Sequence, residues 1–334
     1  VRGAFADLVS GEAQRLAPVV ESSLKTGERK RLDDMINGEG SHALLERALL
    51  HLSEWLHKAT GEKVFILIDE YDTPIHDAFG DEEQYEKVVA FFRNFFSAGL
   101  KDNPHLEKGV LTGILRVAKE SMFSGLNNLQ VYSLLREAYA TCFGFTEGEV
   151  DRLCADAELS PAQRDELRSW YNGYRFGGQV IYNPWSVLSY IKHKSEPVQP
   201  YWVNTGGDAL IRKLLIDSGL EIENDIEALL RGESIEKPVD EHTVFRDLGR
   251  KSEAVFSFLV MSGYLRADER LRRDEAGREH WKLSVPNKEV STVYHRLFLE
   301  WLNAGVGGEN RQVAMCRALL AGDASAVEEH LGTI

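Results

Sequence analysis

The chain has 334 residues, of which 43% are hydrophobic and 28% are charged, and its formal net charge is −14. A chain of this size and composition folds around a substantial core, and its acidity does not support a nucleic-acid partner, although a local basic patch remains possible. Three cysteines without CxxC spacing and no apolar run near ~18 residues indicate a soluble, cytoplasmic protein without a cysteine-built metal site or a membrane partner.

The first 60 residues predict helices, most clearly in SHALLERALLHLSEWLHKATG. Its leucines, including Leu45, Leu49 and Leu52, recur at the spacing of one helix face. We expect Ser41 to cap the start of this helix and Gly61 to end it.

A short apolar stretch, VFILI, follows at residues 64–68. Because it is too short for a helix and apolar at every position, it predicts a parallel strand covered on both faces. The amphipathic sequence DEEQYEKVVAFFRNFFSAGL then predicts a helix, and a second strand is expected from Val110 to Thr112. Strand, helix and strand in this order predict a βαβ unit.

Helix start signals dominate the following region. Thr146 with Glu149 forms a capping-box pattern, and Ser160 and Asn183 each precede a proline at the first helical position. We therefore predict a helical domain over residues 145–240. A further helix in GGDALIRKLLIDSG is expected to end at Gly219.

Towards the end of the chain, the sequence predicts helix, hairpin, helix. The first helix stops at Gly263, the strands are YLRA and HWKLSV, and Asn287 caps the last helix. This order suggests a winged-helix-like region over 241–303, followed by a linker over 304–334. The hairpin segment holds six basic and five acidic residues, so a DNA-gripping wing is not favoured.

Three carboxylates, Asp69, Glu70 and Asp72, follow the first strand directly. Ligands of open parallel sheets bind beyond the carboxyl ends of the strands. An apolar strand that ends in Asp-Glu is the Walker B pattern, in which the first acid holds Mg²⁺ and the second acts as general base. The structural alternative is that Asp69 caps the turn and Asp72 begins it. Mutual repulsion of three acids favours the functional interpretation.

The predicted second strand ends in Thr112. In P-loop ATPases, a polar residue at the end of the strand beside the Walker B strand senses the γ-phosphate. Arg116 and Lys119 follow, and either could reach phosphate charge. For each of these two basic residues, the alternative is a solvated or ion-paired surface position.

A series of motifs resembles the prokaryotic AAA-ATPase-like family. In chain order they are VFILIDEYDTPI, TGILRVAKESMFSGLNNLQVYSLL, FGFTEGEV, WYNGYRFGG, IYNPWSVLSYI, YWVNTGG, SGYL and VPNKEV. The resemblance implies a P-loop NTPase-like core that binds ATP and Mg²⁺, with Asp69 and Glu70 as the Walker B acids. Members of this family often carry a fused C-terminal nuclease-like domain of the PD-(D/E)XK type.

The chain departs from the family in two respects. No GxxxxGK[ST] sequence occurs in it, and the expected C-terminal nuclease-like domain would start about where the sequence stops. The phosphate-gripping loop supplies most of the contacts to nucleotide. We therefore expect an α/β protein followed by mostly α structure, with an incomplete P-loop NTPase-like sheet in residues 1–144 that lacks the P-loop strand. An exposed apolar strand invites association, so we expect a homo-oligomer or aggregation unless residues 1–60 cover the gap.

Two readings of function compete. The first is an ATPase module in which Asp69 holds Mg²⁺, Glu70 is catalytic, and Thr112 and Arg116 contact nucleotide. The second is a non-catalytic regulatory or interaction scaffold derived from such an ATPase. A metal-dependent nuclease is a weaker third reading, because no Lys stands two residues after Glu70 or Asp72.

Overall fold

A computed structural model describes residues 2–114, 128–203, 214, 220–243, 245–248, 252–306 and 309–331. The chain divides into two compact units, residues 1–131 with 241–250 and residues 132–240 with 251–334. The helix predicted to end at Gly219 falls largely outside the described residues. Among the described helices, none combines the length and apolar character of a membrane span.

The first unit is built from helices around a small sheet. Its elements are α1 (Arg2–Val20), α2 (Thr26–Ile36), α3 (His42–Glu46), α4 (Ala48–Thr60), β1 (Val64–Ile68), α5 (Thr73–Asp77), α6 (Glu82–Leu100), β2 (Leu106–Leu111) and α11 (Phe245–Leu248). The one helix predicted around the leucine stripe is therefore two, separated at Arg47. Both predicted boundaries are confirmed: the Ser41 hydroxyl accepts from the Leu44 N–H, and Gly61 ends α4 with a left-handed φ of 77°.

The predicted βαβ arrangement is confirmed, because β1 and β2 pair in parallel with α5 and α6 between them. The second strand begins earlier than predicted, at Leu106, and Thr112 directly follows its end. In the register, Ile66 lies beside Gly109 and Leu67 beside Val110.

The prediction that β1 is covered on both faces is wrong. Ile66 is buried on the face packed by helices, whereas Phe65 and Leu67 on the other face are 61% and 74% exposed. Val110 of β2 is also 40% exposed on this outer face. In the described part of the chain, α4 contacts β1 and α6 contacts β2, and Gly109 lies against Leu100 of α6.

The second unit contains helices, a short hairpin and a three-stranded sheet. Its elements are α7 (Glu147–Asp156), α8 (Pro161–Tyr171), β3 (Tyr174–Phe176), β4 (Gln179–Ile181), α9 (Pro184–Lys192), α10 (Leu220–Leu230), β5 (Ile235–Pro238), α12 (Ser252–Met261), β6 (Arg266–Arg273), β7 (Glu279–Ser284), α13 (Lys288–Val306), α14 (Glu309–Ala321) and α15 (Ala324–Leu331). The caps predicted at Thr146, Ser160 and Asn183 are confirmed.

The predicted hairpin of the second unit is confirmed as the antiparallel pair β6 and β7, which β5 extends to a sheet of order β5-β7-β6. Gly263 ends α12 with a φ of 82°, and the Asn287 side chain accepts from the Val290 N–H at the start of α13. The residues expected to form a linker over 304–334 include helices α14 and α15.

Candidate functional site

The candidate site lies at the carboxyl ends of β1 and β2. Asp69 and Glu70 directly follow β1, and Thr112 follows β2. The Thr112 hydroxyl donates a hydrogen bond to the Asp69 carboxylate, and the Glu70 N–H donates to the Asp69 Oδ1 at 3.1 Å and to the Thr112 Oγ1 at 3.3 Å. The structure thus brings three of the four predicted site residues together.

Backbone hydrogen bonds hold the two strand ends in this position. The Thr112 N–H donates to the Ile68 carbonyl at 2.9 Å, and the Tyr71 N–H donates to the Thr112 carbonyl at 2.9 Å. These bonds continue the parallel pairing beyond the strands. The positions of Asp69 and Thr112 therefore follow from the sheet itself.

Glu70 has a left-handed backbone, with a φ of 51°. This conformation is uncommon for a residue with a side chain and costs of order 1–3 kcal/mol. Its carbonyl accepts from the Thr73 N–H at 3.1 Å, which closes a turn immediately after the strand. The turn leaves the Asp69 and Glu70 side chains exposed to solvent, where a ligand can reach them.

The third acid of the cluster has a different role from the other two. Asp72 is buried, with 4% of its surface exposed, and its Oδ2 accepts from the Ile114 N–H at 2.8 Å. This bond ties the turn after β1 to the segment after β2. Sequence reasoning grouped Asp72 with Asp69 and Glu70 and missed this connecting role, because the pattern of acids carries no information about burial.

The chemistry of the site fits a magnesium ion. Mg²⁺ prefers oxygen ligands and is commonly bound through one or two carboxylates, with waters and substrate phosphates completing its shell. Asp69, beside the hydroxyl of Thr112, offers oxygen donors of this kind. Within the described ranges, neither Asp69 nor Glu70 forms an ion pair with a basic side chain, and no group of three or more acidic, His or Cys side chains could hold a metal alone.

The remaining predicted residues lie elsewhere. Arg116 and Lys119 fall outside the described residues. The arginines of the β6–β7 hairpin are paired with carboxylates. These pairs are Arg270 and Arg273 with Glu279, Arg272 with Glu236, and Arg278 with Asp274 and Glu253. This internal pairing agrees with the nearly neutral hairpin found in the sequence and gives no support to a DNA-binding role.

Comparison with known proteins gives two relationships. Residues 5–123 match the family model described as predicted AAA-ATPase. An uncharacterized protein of the vnfD 5' region of Azotobacter chroococcum mcd 1 is 38% identical over 161 residues, which cover 48% of this chain and 30% of that protein. The match thus spans less than a third of that relative. No solved structure matches the chain significantly.

The family match contains both strands of the sheet and every described residue of the candidate site, from Asp69 to Thr112. The part of this chain that is similar to the predicted AAA-ATPase family, residues 5–123, is therefore the part that holds the candidate site.

Proposed function

We propose that the first unit carries the Walker B side of an ATPase site. This part of the site binds the phosphates of ATP together with Mg²⁺ and contributes to ATP hydrolysis. The observation that carries this proposal is the contact between Thr112 and Asp69 across the carboxyl ends of two parallel strands. It combines a carboxylate suited to Mg²⁺ with a hydroxyl suited to a phosphate oxygen.

In this proposal, Asp69 binds the metal ion and Thr112 contacts the terminal phosphate. Mg²⁺ neutralises phosphate charge when it is bound. Glu70 orients the attacking water and accepts its proton as the bond between the terminal phosphorus and the bridging oxygen breaks. Arg116 is proposed to contact the negatively charged phosphates of ATP.

A titration with MgATP tests the proposal on this chain and on a version extended at its N-terminus. We expect Asp69→Ala to weaken Mg²⁺-dependent binding at least tenfold. Asp77→Ala is the matched control, because Asp77 is an exposed acid of α5 and is not part of the site. Failure of both proteins to bind MgATP would overturn the proposal.

Hydrolysis tests the role of Glu70 separately. Loss of a general base typically costs about 10²–10⁴ in rate, so Glu70→Gln should slow turnover by this factor and leave MgATP binding intact. Equal loss of binding and turnover would show that Glu70 is not the base.

A regulatory or interaction scaffold is the second candidate function. The absence of a GxxxxGK[ST] sequence from the chain favours it. The exposed apolar outer face of the sheet, with Phe65 and Leu67, also favours a surface for association. Binding of MgATP that depends on Asp69 would decide against this reading.

A further inference from the structure

Two histidines meet at the amino-terminal edge of the parallel sheet. His57 lies in the last turn of α4, and His105 directly precedes β2. Their Nδ1 atoms are 3.0 Å apart, and the ring planes are inclined by 66°. Both side chains are half-buried, so solvent still reaches the pair.

The backbone on both sides of this pair is fixed. The His105 N–H donates to the Asn103 Oδ1 at 3.0 Å, and the His105 carbonyl accepts from the Val64 N–H at 2.8 Å. Asn103 is itself buried. The His57 carbonyl accepts from the Gly61 N–H at 2.8 Å, which closes α4. The two imidazoles are therefore presented by an anchored helix end and an anchored strand start.

We propose that His57 and His105 form a binding site for a divalent late transition metal ion, such as Zn²⁺, Ni²⁺ or Cu²⁺. Zinc–imidazole bonds of about 2.0–2.1 Å place two nitrogen ligands about 2.9–3.4 Å apart at angles between square and tetrahedral. The observed 3.0 Å lies in this range. Imidazole nitrogen is also a preferred ligand of these metals.

Water completes the coordination shell. In the part of the chain that the structure describes, no third His, Cys, Asp or Glu joins the pair to make a cluster of three. Two protein ligands and water make an open site of moderate affinity. An ion enters from the solvent-exposed side of the pair.

Binding requires a change of tautomer. In the hydrogen-bonded pair, one Nδ1 carries a proton that it donates to the other Nδ1. Metal coordination uses both Nδ1 lone pairs, so this proton moves to the Nε2 of the same ring through solvent, and no net proton is released from the neutral pair. The ion then joins α4 to β2 at the end of the sheet opposite Asp69 and Thr112, and it stabilises the first unit.

Calorimetric titration with ZnCl₂ and NiCl₂ on the full chain tests this site. We expect one ion bound with moderate affinity and a rise in the melting temperature of the protein. His57→Ala and His105→Ala should each weaken this binding at least tenfold, since one imidazole remains. His42→Ala is the control, because His42 is an exposed histidine of α3.

Electron paramagnetic resonance of the wild-type chain with one equivalent of Cu²⁺ tests the site without any substitution. Coupling to two equivalent imidazole nitrogens supports the proposal. Coupling to one nitrogen or to none overturns it. Unchanged Zn²⁺ affinity in folded His57→Ala and His105→Ala, checked by circular dichroism, would also overturn it.

Discussion

Gly113 lies where the turn after β1 meets the segment after β2. A Cβ built on this residue would lie 2.6 Å from the Asp72 Oδ1 and 2.7 Å from the Tyr71 Cε1. Asp72 cannot easily move away, because it is buried and accepts from the Ile114 N–H. A side chain at Gly113 would therefore disturb the connection that holds the candidate site.

Replacement of Gly113 by alanine should lower the free energy of unfolding by about 1–3 kcal/mol, the usual cost of an extra methyl group in a filled space. Urea unfolding followed by circular dichroism measures this change. Gly148→Ala is the matched control, because Gly148 lies in α7 and its Cβ would meet no atom within 4 Å. The control should change the free energy of unfolding by less than about 0.5 kcal/mol, because Gly148 lies in the first turn of its helix. Equal effects at both positions would contradict the role of the contact with Asp72.

The sequence predicted which residues form the candidate site but not how the chain turns through them. Asp69, Glu70 and Thr112 could be predicted, because the ends of neighbouring parallel strands lie at one edge of a sheet. The left-handed conformation of Glu70 could not be predicted, because in a sequence only glycine and asparagine-like residues indicate this conformation. The burial of Asp72 depends on contacts more than forty residues away in the chain.

Among the elements, the first turn of α13 is hydrogen-bonded to two other segments of the second unit, the start of α9 and the segment around Trp202. Glu289 is fully buried, and its carboxylate accepts from the Ser186 hydroxyl at the start of α9 and from the Trp202 N–H, each at 2.7 Å. The backbone N–H groups of Tyr201 and Val203 also favour the charged form of Glu289 and partly oppose the effect of burial on its pKa. One carboxylate thus satisfies donors from segments far apart in the sequence, which the motif VPNKEV alone did not indicate.

Removal of this carboxylate should destabilise the second unit. Glu289→Ala leaves several buried donors without an acceptor, so we expect the free energy of unfolding to fall by about 2–4 kcal/mol. Lys288→Ala, a change at the exposed neighbouring residue, should alter it by less than about 0.5 kcal/mol. A small effect of Glu289→Ala would show that water replaces the carboxylate.

Burial raises the pKa of Glu289 above its ordinary value of 4.5. A raised pKa in the folded state means that the contribution of Glu289 to stability is fully present below pH 4.5 and declines as the pH rises through the folded-state pKa. The stability of the wild type relative to the uncharged Glu289→Gln should therefore decrease over this window. Urea unfolding at a series of pH values measures the slope, and a difference that increases with pH would reverse our assignment.

The sheet shows what an apolar strand can and cannot predict. VFILI correctly predicted a strand and a parallel partner, because length and composition exclude a helix. It did not predict that Phe65 and Leu67 are exposed, since apolarity at every position does not tell which face another element covers. The helices predicted from amphipathic patterns pack on the face of Ile66 instead.

For the whole molecule, the exposed face of the sheet and the net charge have opposite effects on self-association. Phe65, Leu67 and Val110 form an exposed apolar surface on the first unit. A surface of this kind favours association with a second copy of the chain. The net charge of −14 repels a second copy, and this repulsion is long-ranged at low ionic strength.

We therefore expect the isolated chain to self-associate more strongly as salt screens the charge. Sedimentation velocity at increasing protein and NaCl concentration should show a rising weight-average sedimentation coefficient. Leu67→Lys should weaken this association, because it puts a charge in the centre of the outer face. Leu8→Lys is the control, since Leu8 of α1 is 63% exposed but lies outside the sheet. A monomer at every salt concentration, or an equal effect of both substitutions, would show that the outer face does not bring copies of this chain together.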